Sequence, residues 1–483
     1  MTDDEATRIL SFAPTDLGNS ERFLYLYRRQ IRYVNEWKGW LMWDGVLSPG
    51  QRPAPVSESE SPSGGRWQRD ISHGVHRLAA ESVRELKTAI SHAVRDKDER
   101  IKQMKSAERW ESIRRLRAIP KLAADDHSIR VSAESLDADP FLLNCENGTV
   151  DLRTGELKPP DPGDLITKNT GVAYDTGAEA PKFQRFLRQL FVVQDTREWF
   201  QRVAGYCASG DVSEKAVFFL IGEGSNGKTT LLRTLRHILG EYAGICMVES
   251  LMRTSSGSTL RSADIANLAG KRLVTTAEPS AQARLHEAQL KALSGMDSFV
   301  AARKYENPVI IRPNFKIFVE ANTEPIIEEV GDAVWGRAKL IRLNARFSGD
   351  AANAYLFEEL REEAPAILTW AVLGGLLRRQ ENGLRDPMEV RLQVAEWQRN
   401  MDRLQDFGDT YIESESGLKD SLEEIWAAAK EWAKANDIRL SQRTLTDFLK
   451  RRYKSRSVSD GRHRWWLNIR LKDEFRKRKD PED

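Results

Sequence analysis

The sequence predicts an α/β fold, and three stretches carry that prediction. Residues 217–239 read VFFLIGEGSNGKTTLLRTLRHIL. They form a short, wholly apolar run (Val217 to Ile221), a glycine-rich turn, and a helical pattern with Leu231, Leu232, Leu235 and Ile238 on one face. Residues 271–278 (KRLVTTAE) and the run Phe315 to Ala321, within KIFVEANTEP, are two further apolar strands. The α/β segment therefore extends over 181–347.

Composition sets the frame. A chain of 483 residues suggests about three domains, and 40% hydrophobic residues suffice for several cores. The net charge is only +2, so a nucleic-acid partner would be met by local basic patches. One end is uneven: Arg443 to Lys479 holds fourteen Lys/Arg against four Asp/Glu. Cys145, Cys207 and Cys246 lie far apart with no CxxC pair, which argues against a secreted disulfide scaffold or a zinc ribbon and fits a reducing cytoplasm. The acidic start MTDDEATRIL reads as no signal peptide. The longest apolar stretch, Ala364 to Leu377, contains Pro365 and Thr369 and falls short of the ~20 residues a bilayer needs; it reads as a buried helix, and no membrane partner is expected. The histidines show no metal-ligand spacing.

Along the chain, residues 1–14 read as a loose tail and 15–175 as a mainly helical N-terminal domain, with a role in oligomerisation. Trp37, Trp40, Trp43 and Trp67 mark a compact aromatic region, interrupted by a Pro/Ser/Gly/Glu-rich surface loop from Pro49 to Gly64. From Ile71 to Leu116 the pattern is helical and heavily charged, as on solvated helix faces. Asn147-Gly148 and Thr154-Gly155 separate short apolar runs and predict small hairpins. A helical connector is expected over 348–415. Residues 419–473 read as three helices and a hairpin turning at Asp460-Gly461, a winged helix, with a short charged tail over 474–483.

Gly222-x4-Gly227-Lys228-Thr229, between strand and helix, is the full phosphate-loop pattern in its required setting. Glycines let backbone N–H groups turn towards phosphate oxygens, and the helix N-terminus adds a favourable dipole. Lys228 would reach the β- and γ-phosphates of ATP and the Thr229 hydroxyl would ligate Mg²⁺; Gly224, Asn226 and Thr230 complete the expected nucleotide contacts. Glu278, at a strand end, can hold Mg²⁺ or polarise the attacking water. Asn322 can hold that water, although an Asn before Glu324-Pro325 also suits a turn. Arg337, between a helix and an apolar strand, is placed as an arginine finger would be, and equally as a surface charge.

GEGSNGKTT, KRLVTTAE, LKALSGMDSFVAARKYENPVIIRP, KIFVEANTEP and DAVWGRAKLIRL, in this order, resemble the superfamily 3 helicase domain of phage and plasmid primase–helicase proteins, a family with poxvirus relatives. TDLGNSERF, WDG, LDADPFLLNCENGTVDLRTGEL and the tail resemble the same family's flanking regions. The resemblance implies an AAA+-like core, a homo-hexamer, and 3′→5′ movement on single-stranded DNA during replication of a phage, prophage or plasmid. It makes Glu278 the Walker B acid, Asn322 the sensor and Arg337 a finger supplied to a neighbouring subunit. Two positions depart from the family pattern. Ala277 stands where a second acid is common, and Trp335-Gly336-Arg337 replaces the usual Trp-Arg-Arg.

FVAARKYENPVIIRP carries two short runs flanking Glu306-Asn307-Pro308, a hairpin with Arg303, Lys304 and Tyr305 near its tip. In the family the matching hairpin grips DNA, where cations suit phosphates and an aromatic ring can stack on a base. In the tail, Arg451 and Arg452 end a helix while Arg462 and Arg464 flank the wing, a density suited to a DNA backbone or to a docking surface. Single-stranded and forked DNA are thus the expected partners, with a separate primase or an origin-binding protein as a further one. The segment that follows the primase domain in relatives begins almost at once here, so no primase activity is expected. Asp137 and Asp139 form an Asp-x-Asp, but in the stretch that matches the family's linker. Two other readings stay open: an ATP-dependent initiator or loader that melts an origin without processive unwinding, and a motor ATPase of another class.

Overall fold

The computed structural model of the protein describes every residue except 46–64, 248–250, 253–266, 277–283, 296–298, 302–308, 328–331, 348–352, 437–439, 441, 454–456, 460–463 and 476–483. Its N-terminal portion opens with α1 (Asp3–Leu10) and α2 (Asp16–Tyr27). The loose tail expected over 1–14 is instead a docked helix. A capping box starts it: the Thr2 hydroxyl accepts from the Glu5 N–H at 3.2 Å while the Glu5 carboxylate accepts from the Thr2 N–H at 2.9 Å. Ala6 and Ile9 are buried in one cluster with Leu86, Ala89 and Ile90. The buried Arg22 of α2 donates to the carbonyls of Ile9 and Phe12 at 3.0 and 3.2 Å.

Strands β1 (Ile31–Val34), β2 (Gly39–Trp43) and β3 (Trp67–Arg69) precede α3 (Gly74–Ala93), α4 (Lys97–Glu108), α5 (Ile113–Ala123) and β4 (Arg130–Val131). The strands form one sheet in the order β3-β2-β1-β4, with Trp43 opposite Trp67 and their rings 5.5 Å apart. The surface loop expected over 49–64 lies outside the described residues. A meander follows, of β5 (Leu142–Cys145), β6 (Gly148–Asp151) and β7 (Glu156–Lys158). Both expected hairpins are present. The register Cys145↔Gly148 makes Glu146 and Asn147 the central residues of the first turn, one position before the Asn-Gly pair. Helices dominate this half, but two small sheets share it.

The α/β expectation holds in the next segment. After α6 (Pro181–Leu190) and α7 (Gln194–Ala208) come β8 (Val217–Ile221), α8 (Lys228–Leu239), β9 (Ala243–Cys246), β10 (Leu273–Thr276), α9 (Glu287–Ser294), the paired β11 (Phe299–Ala301) and β12 (Val309–Ile311), β13 (Lys316–Ala321), α10 (Asp332–Trp335) and β14 (Ala338–Arg342). Five parallel strands form a sheet in the order β14-β8-β13-β10-β9. All five residues of β8 are buried, as a strand covered on both faces requires.

The expected connector over 348–415 is part of this body. α11 (Leu356–Glu362), α12 (Ala364–Gln380) and α13 (Met388–Tyr411) continue the chain, and α12 buries Ile367, Leu368, Ala371 and Val372 in the same cluster as α7 and one face of the sheet. α13 brings Trp397 against Phe219 of β8 at 5.0 Å and Trp335 at 5.2 Å. The apolar stretch from Ala364 is thus a buried helix, as its composition predicts.

The tail contains β15 (Ile412–Glu413), β16 (Lys419–Ser421), α14 (Leu422–Ala435), α15 (Gln442–Tyr453), β17 (Ser457–Ser459), β18 (Arg464–Leu467) and β19 (Arg470–Leu471). Where three helices were expected from Lys419 there is a strand and then two helices. β16 pairs with β18, and the buried Asp420 accepts from the Leu471 N–H at 2.9 Å, which fixes a strand the sequence conceals. The expected turn at Asp460-Gly461 lies outside the described residues.

α7 crosses α12 at backbone contact. A Cβ on Gly205 would lie 2.0 Å from the Gly375 nitrogen, and one on Gly374 would lie 2.0 Å from the Gln201 carbonyl oxygen. Backbone on both sides cannot yield, so Gly374→Ala should lower stability by roughly 1–3 kcal/mol. Urea unfolding followed by tryptophan fluorescence measures this, and an unchanged midpoint would mean the helices separate at little cost.

Candidate functional site

The phosphate loop joins the C-terminal end of β8 to α8, and its neighbours hold it in shape. The Gly222 N–H donates to the Ala321 carbonyl of β13 at 3.2 Å, the Leu343 N–H to the Ile221 carbonyl at 2.7 Å, and the Phe347 N–H to the Ser225 carbonyl at 2.8 Å. Two glycines are sterically required. A Cβ on Gly222 would meet the Asn226 amide at 1.9 Å and the Leu343 carbonyl at 2.6 Å. Gly227 has φ +82°, a left-handed conformation that costs other residues energy, and a Cβ there would lie 3.0 Å from Phe186 and Leu190. By contrast Gly224 has open space around it, on the exposed crest of the loop.

Lys228 starts α8 and is only 4% exposed. Its ammonium donates to the Gly222 carbonyl and, at 3.2 Å each, to the side-chain oxygens of Asn226 and Asn322. The sequence-predicted Lys228 and Asn322 are therefore in direct contact, across 94 residues of chain. Thr229, exposed at the mouth, donates its hydroxyl proton to the carboxylate of Glu320. Thr230 is half-buried in the first turn of α8, where its carbonyl accepts from the Thr234 hydroxyl at 2.9 Å.

Asn226, an expected nucleotide contact, is 4% exposed, and its amide donates to the Leu343 carbonyl at 3.3 Å while its oxygen receives Lys228. Those bonds brace the loop from inside. Glu320 was missed by sequence reasoning, although an acid in the middle of an otherwise buried strand is a signal that a partner exists. Phe347 was missed as well; its anchoring bond runs through the backbone, which no side-chain pattern reveals.

Arg337 is far from this cluster. It immediately precedes β14, and its carbonyl accepts from the Val217 N–H at 2.8 Å, at the N-terminal end of β8. The loop starts at the other end of that strand, about 13 Å away by strand rise. Glu278, and Arg303, Lys304 and Tyr305 at the expected hairpin tip, lie outside the described residues; the strands β11 and β12 that lead to that tip are paired as expected. Arg452 forms an ion pair with Asp409 of α13. Arg462 and the side chains of Arg451 and Arg464 lie outside the described residues. Asp137 accepts from the Thr167 N–H at 2.8 Å and from Lys168 at 2.7 Å, and Asp139 from Arg153 at 2.7 Å, so each acid of the Asp-x-Asp has protein partners.

Among the described residues no group of three or more His, Cys, Asp or Glu side chains is arranged to hold a metal, and no helix is long and apolar enough to cross a membrane. Cys145, Cys207 and Cys246 are buried and unbonded to one another. Burial pushes the Cys145 and Cys207 thiols up to about 12, which suits inert core residues.

A parallel sheet with a glycine-framed loop, a buried lysine and a hydroxyl at a helix start define a P-loop-type α/β protein. The D5 N-terminal-like family matches residues 20–192, and a family of unknown function, DUF5906, matches 220–337. A protein of Acanthamoeba polyphaga mimivirus named "Putative helicase" is 27% identical over 325 residues, covering 62% of this chain and 34% of that protein. One of the same name from frog virus 3 (isolate Goorha) is 23% identical over 341 residues, covering 67% and 34%. The chain thus spans about a third of the length of these curated relatives. The apo structure of the NrS-1 C-terminal region is similar with a TM-score of 0.45 and 11% identity, over 94% of this chain and 99% of that one.

If Asn226 is a strut, Asn226→Ala should cost about 1–2 kcal/mol, because the Leu343 carbonyl loses its donor and Lys228 an acceptor. Chemical denaturation without nucleotide reads this directly. A variant as stable as the parent would return Asn226 to the ligand-facing side of the loop.

Proposed function

We propose that the chain is an ATP-dependent DNA helicase of superfamily 3, working as a homo-hexamer and moving 3′→5′ on single-stranded DNA in replication. The observation that carries this reading is the convergence of Lys228, Asn322 and Thr229 at one mouth, with Arg337 at the opposite end of the same pair of strands. An arginine so placed cannot serve its own loop, but it can serve the loop of an adjacent copy.

Residues of the chain divide the work. Lys228 is desolvated and held by three oxygens, so it is pre-positioned to transfer its hydrogen bonds to phosphate at little reorganisation cost. Backbone N–H groups at the start of α8 add donors to the same place. Asn322, released from Lys228 by the phosphate, would orient the attacking water. Glu278 follows two residues after the end of β10 and is the proposed base. Thr229 offers a hydroxyl to Mg²⁺, which would neutralise charge on the β- and γ-phosphates. The hairpin β11–β12 would carry Arg303, Lys304 and Tyr305 to the DNA. The tail, with its sheet β16-β18-β17 beside α14 and α15, would act as the expected winged helix and engage the duplex ahead of the ring.

Strand displacement on a forked substrate tests the function. Unwinding with ATP and none without it is expected, whereas ATP-dependent origin opening without displacement of a long strand would make the chain a loader. A sharper prediction concerns the shared site. Lys228→Ala and Arg337→Ala should each lose most of the ATPase activity, by roughly 10²–10³-fold for the lost lysine and up to roughly 10³–10⁵-fold for the finger. Mixing the two inactive proteins should restore measurable hydrolysis, because some interfaces then pair an intact loop with an intact arginine. Arg337→Ala that is active by itself, or mixed rings that stay silent, would remove Arg337 from catalysis.

A further inference from the structure

β13 and the residue that follows it bring two polar side chains to α8, and only one of them was expected. Glu320 lies in the strand and Asn322 immediately beyond its end, two positions on, and both reach the same helix. At the start of α8 the consecutive residues Lys228 and Thr229 receive them: Lys228 contacts Asn322 and Thr229 contacts Glu320. The two pairs are rungs of one contact between strand and helix. Asn322 has a role in the sequence reading, and Glu320 has none.

Three observations bear on what Glu320 does. It is half-buried within a strand whose other five residues are buried, so an acid there needs a reason. Its neighbours are a hydroxyl that faces solvent and the charge of Arg236, whose guanidinium donates to the Thr275 hydroxyl at 2.6 Å. It therefore offers negative charge beside an exposed hydroxyl at the edge of the loop. Finally, the adjacent strand β10 pairs Thr276 with Val319, the residue before Glu320, and continues in sequence to Ala277, which brings no charge.

We propose that Glu320 is the carboxylate that positions the divalent cation of the bound nucleotide, acting through the Thr229 hydroxyl and the cation's water shell. This deepens the nucleotide-site reading and rests on it. A hydroxyl has one proton and two lone pairs. Donation of the Thr229 proton to Glu320 fixes the rotor, turns a lone pair outward, and makes that oxygen a better ligand. The carboxylate also adds the negative charge that Ala277 does not supply. Glu320 is thus a positioning residue, and charge is the property that matters.

Glu320→Gln tests this in the full chain, since the amide keeps the shape and can still accept from Thr229 but loses the charge. The probe is a fluorescent ADP, titrated in EDTA and in Mg²⁺, with Mn²⁺ titrated by electron paramagnetic resonance onto the ADP-bound protein. The parent should bind ADP more tightly with the cation than without it. In Glu320→Gln, binding in EDTA should stay within about twofold of the parent, while Mn²⁺ affinity should fall roughly 10–100-fold, the usual effect of removing a partner behind a metal ligand. Glu320→Asp should recover part of the Mn²⁺ affinity. Full cation linkage in Glu320→Gln would overturn the proposal and leave the nucleotide site standing. Weakened ADP binding in EDTA would overturn it too, by making Glu320 a support for the loop. If the parent shows no cation effect, or Lys228→Ala binds ADP as the parent does, the nucleotide-site reading itself fails.

Discussion

The arrangement depends on β13 lying directly beside β8 in parallel register. Strands that run the same way cannot be joined by a tight turn, and here β8 and β13 are separated by two other strands, α8, α9 and the β11–β12 hairpin. Their register pairs Ala321 with Ile221, so the segment after β13 and the loop after β8 emerge side by side. Everything that can act on a phosphate follows from this. Asn322 reaches Lys228, Glu320 reaches Thr229, and the Ala321 carbonyl anchors the first amide of the loop. A slip of one residue would turn Glu320 to the other face of the sheet, away from α8.

At the opposite end of the sheet the same strands are held by buried cations. Arg272, one residue before β10, donates to the carbonyls of Ala208 and Leu142 at 2.7 and 2.6 Å. Lys316, first residue of β13, donates to the carbonyls of Ser209 and Asp211, and its ammonium lies 4.7 Å from the Tyr206 ring. Arg378 of α12 stacks on the same ring at 4.3 Å and pairs with Asp211 at 2.9 Å. Burial pushes Lys316 down to about 7, which reflects the cost of holding an ammonium there with carbonyl partners and no carboxylate of its own. These contacts join β5, α7, the sheet and α12, and so fasten β5 of the N-terminal portion to the strands that carry the loop. A sheet held this firmly at its base leaves the loop end as the place where adjustment on ligand binding is cheapest.

What could be read from the sequence was what is contiguous. The phosphate loop needs only a strand, glycines at fixed offsets and a helix start, all within 23 residues. The buried helix at Ala364 and the hairpins of β5 to β7 are local in the same sense. Glu320 was not legible because its meaning lies in Thr229, 91 residues earlier; in one dimension it is a charge in a strand. The three residues of β16 were hidden for a related reason, since Lys419-Asp420-Ser421 has no strand propensity and is fixed by Trp466 and Leu471 from the far end of the tail. α1 is a different case. Its Thr-Asp-Asp-Glu start was legible as a capping box, and proximity to the terminus outweighed it.

Placement of the functional groups at two ends of one strand pair has a structural cost and a consequence. β8 and β14 run parallel from Val217 and Ala338 to Ile221 and Arg342. The loop occupies one end and Arg337 the other, and Arg342, which does end near the loop, is committed to Glu324 and Glu396. Among the described residues of this strand pair, the arginine close to the loop is thus neutralised within the chain, and the backbone of Arg337 lies at the end of the sheet opposite the loop. Under the proposed function, Lys228 is the central cation of the phosphate cradle, and further positive charge for a developing transition state would come from a second copy of the chain, because a ring repeats the opposite end of the strand pair at every loop. Under that arrangement, hydrolysis would be gated by the fit between neighbours. Any movement of one subunit against the next would change the distance from arginine to phosphate, which is how a motor can couple a chemical step to displacement along DNA.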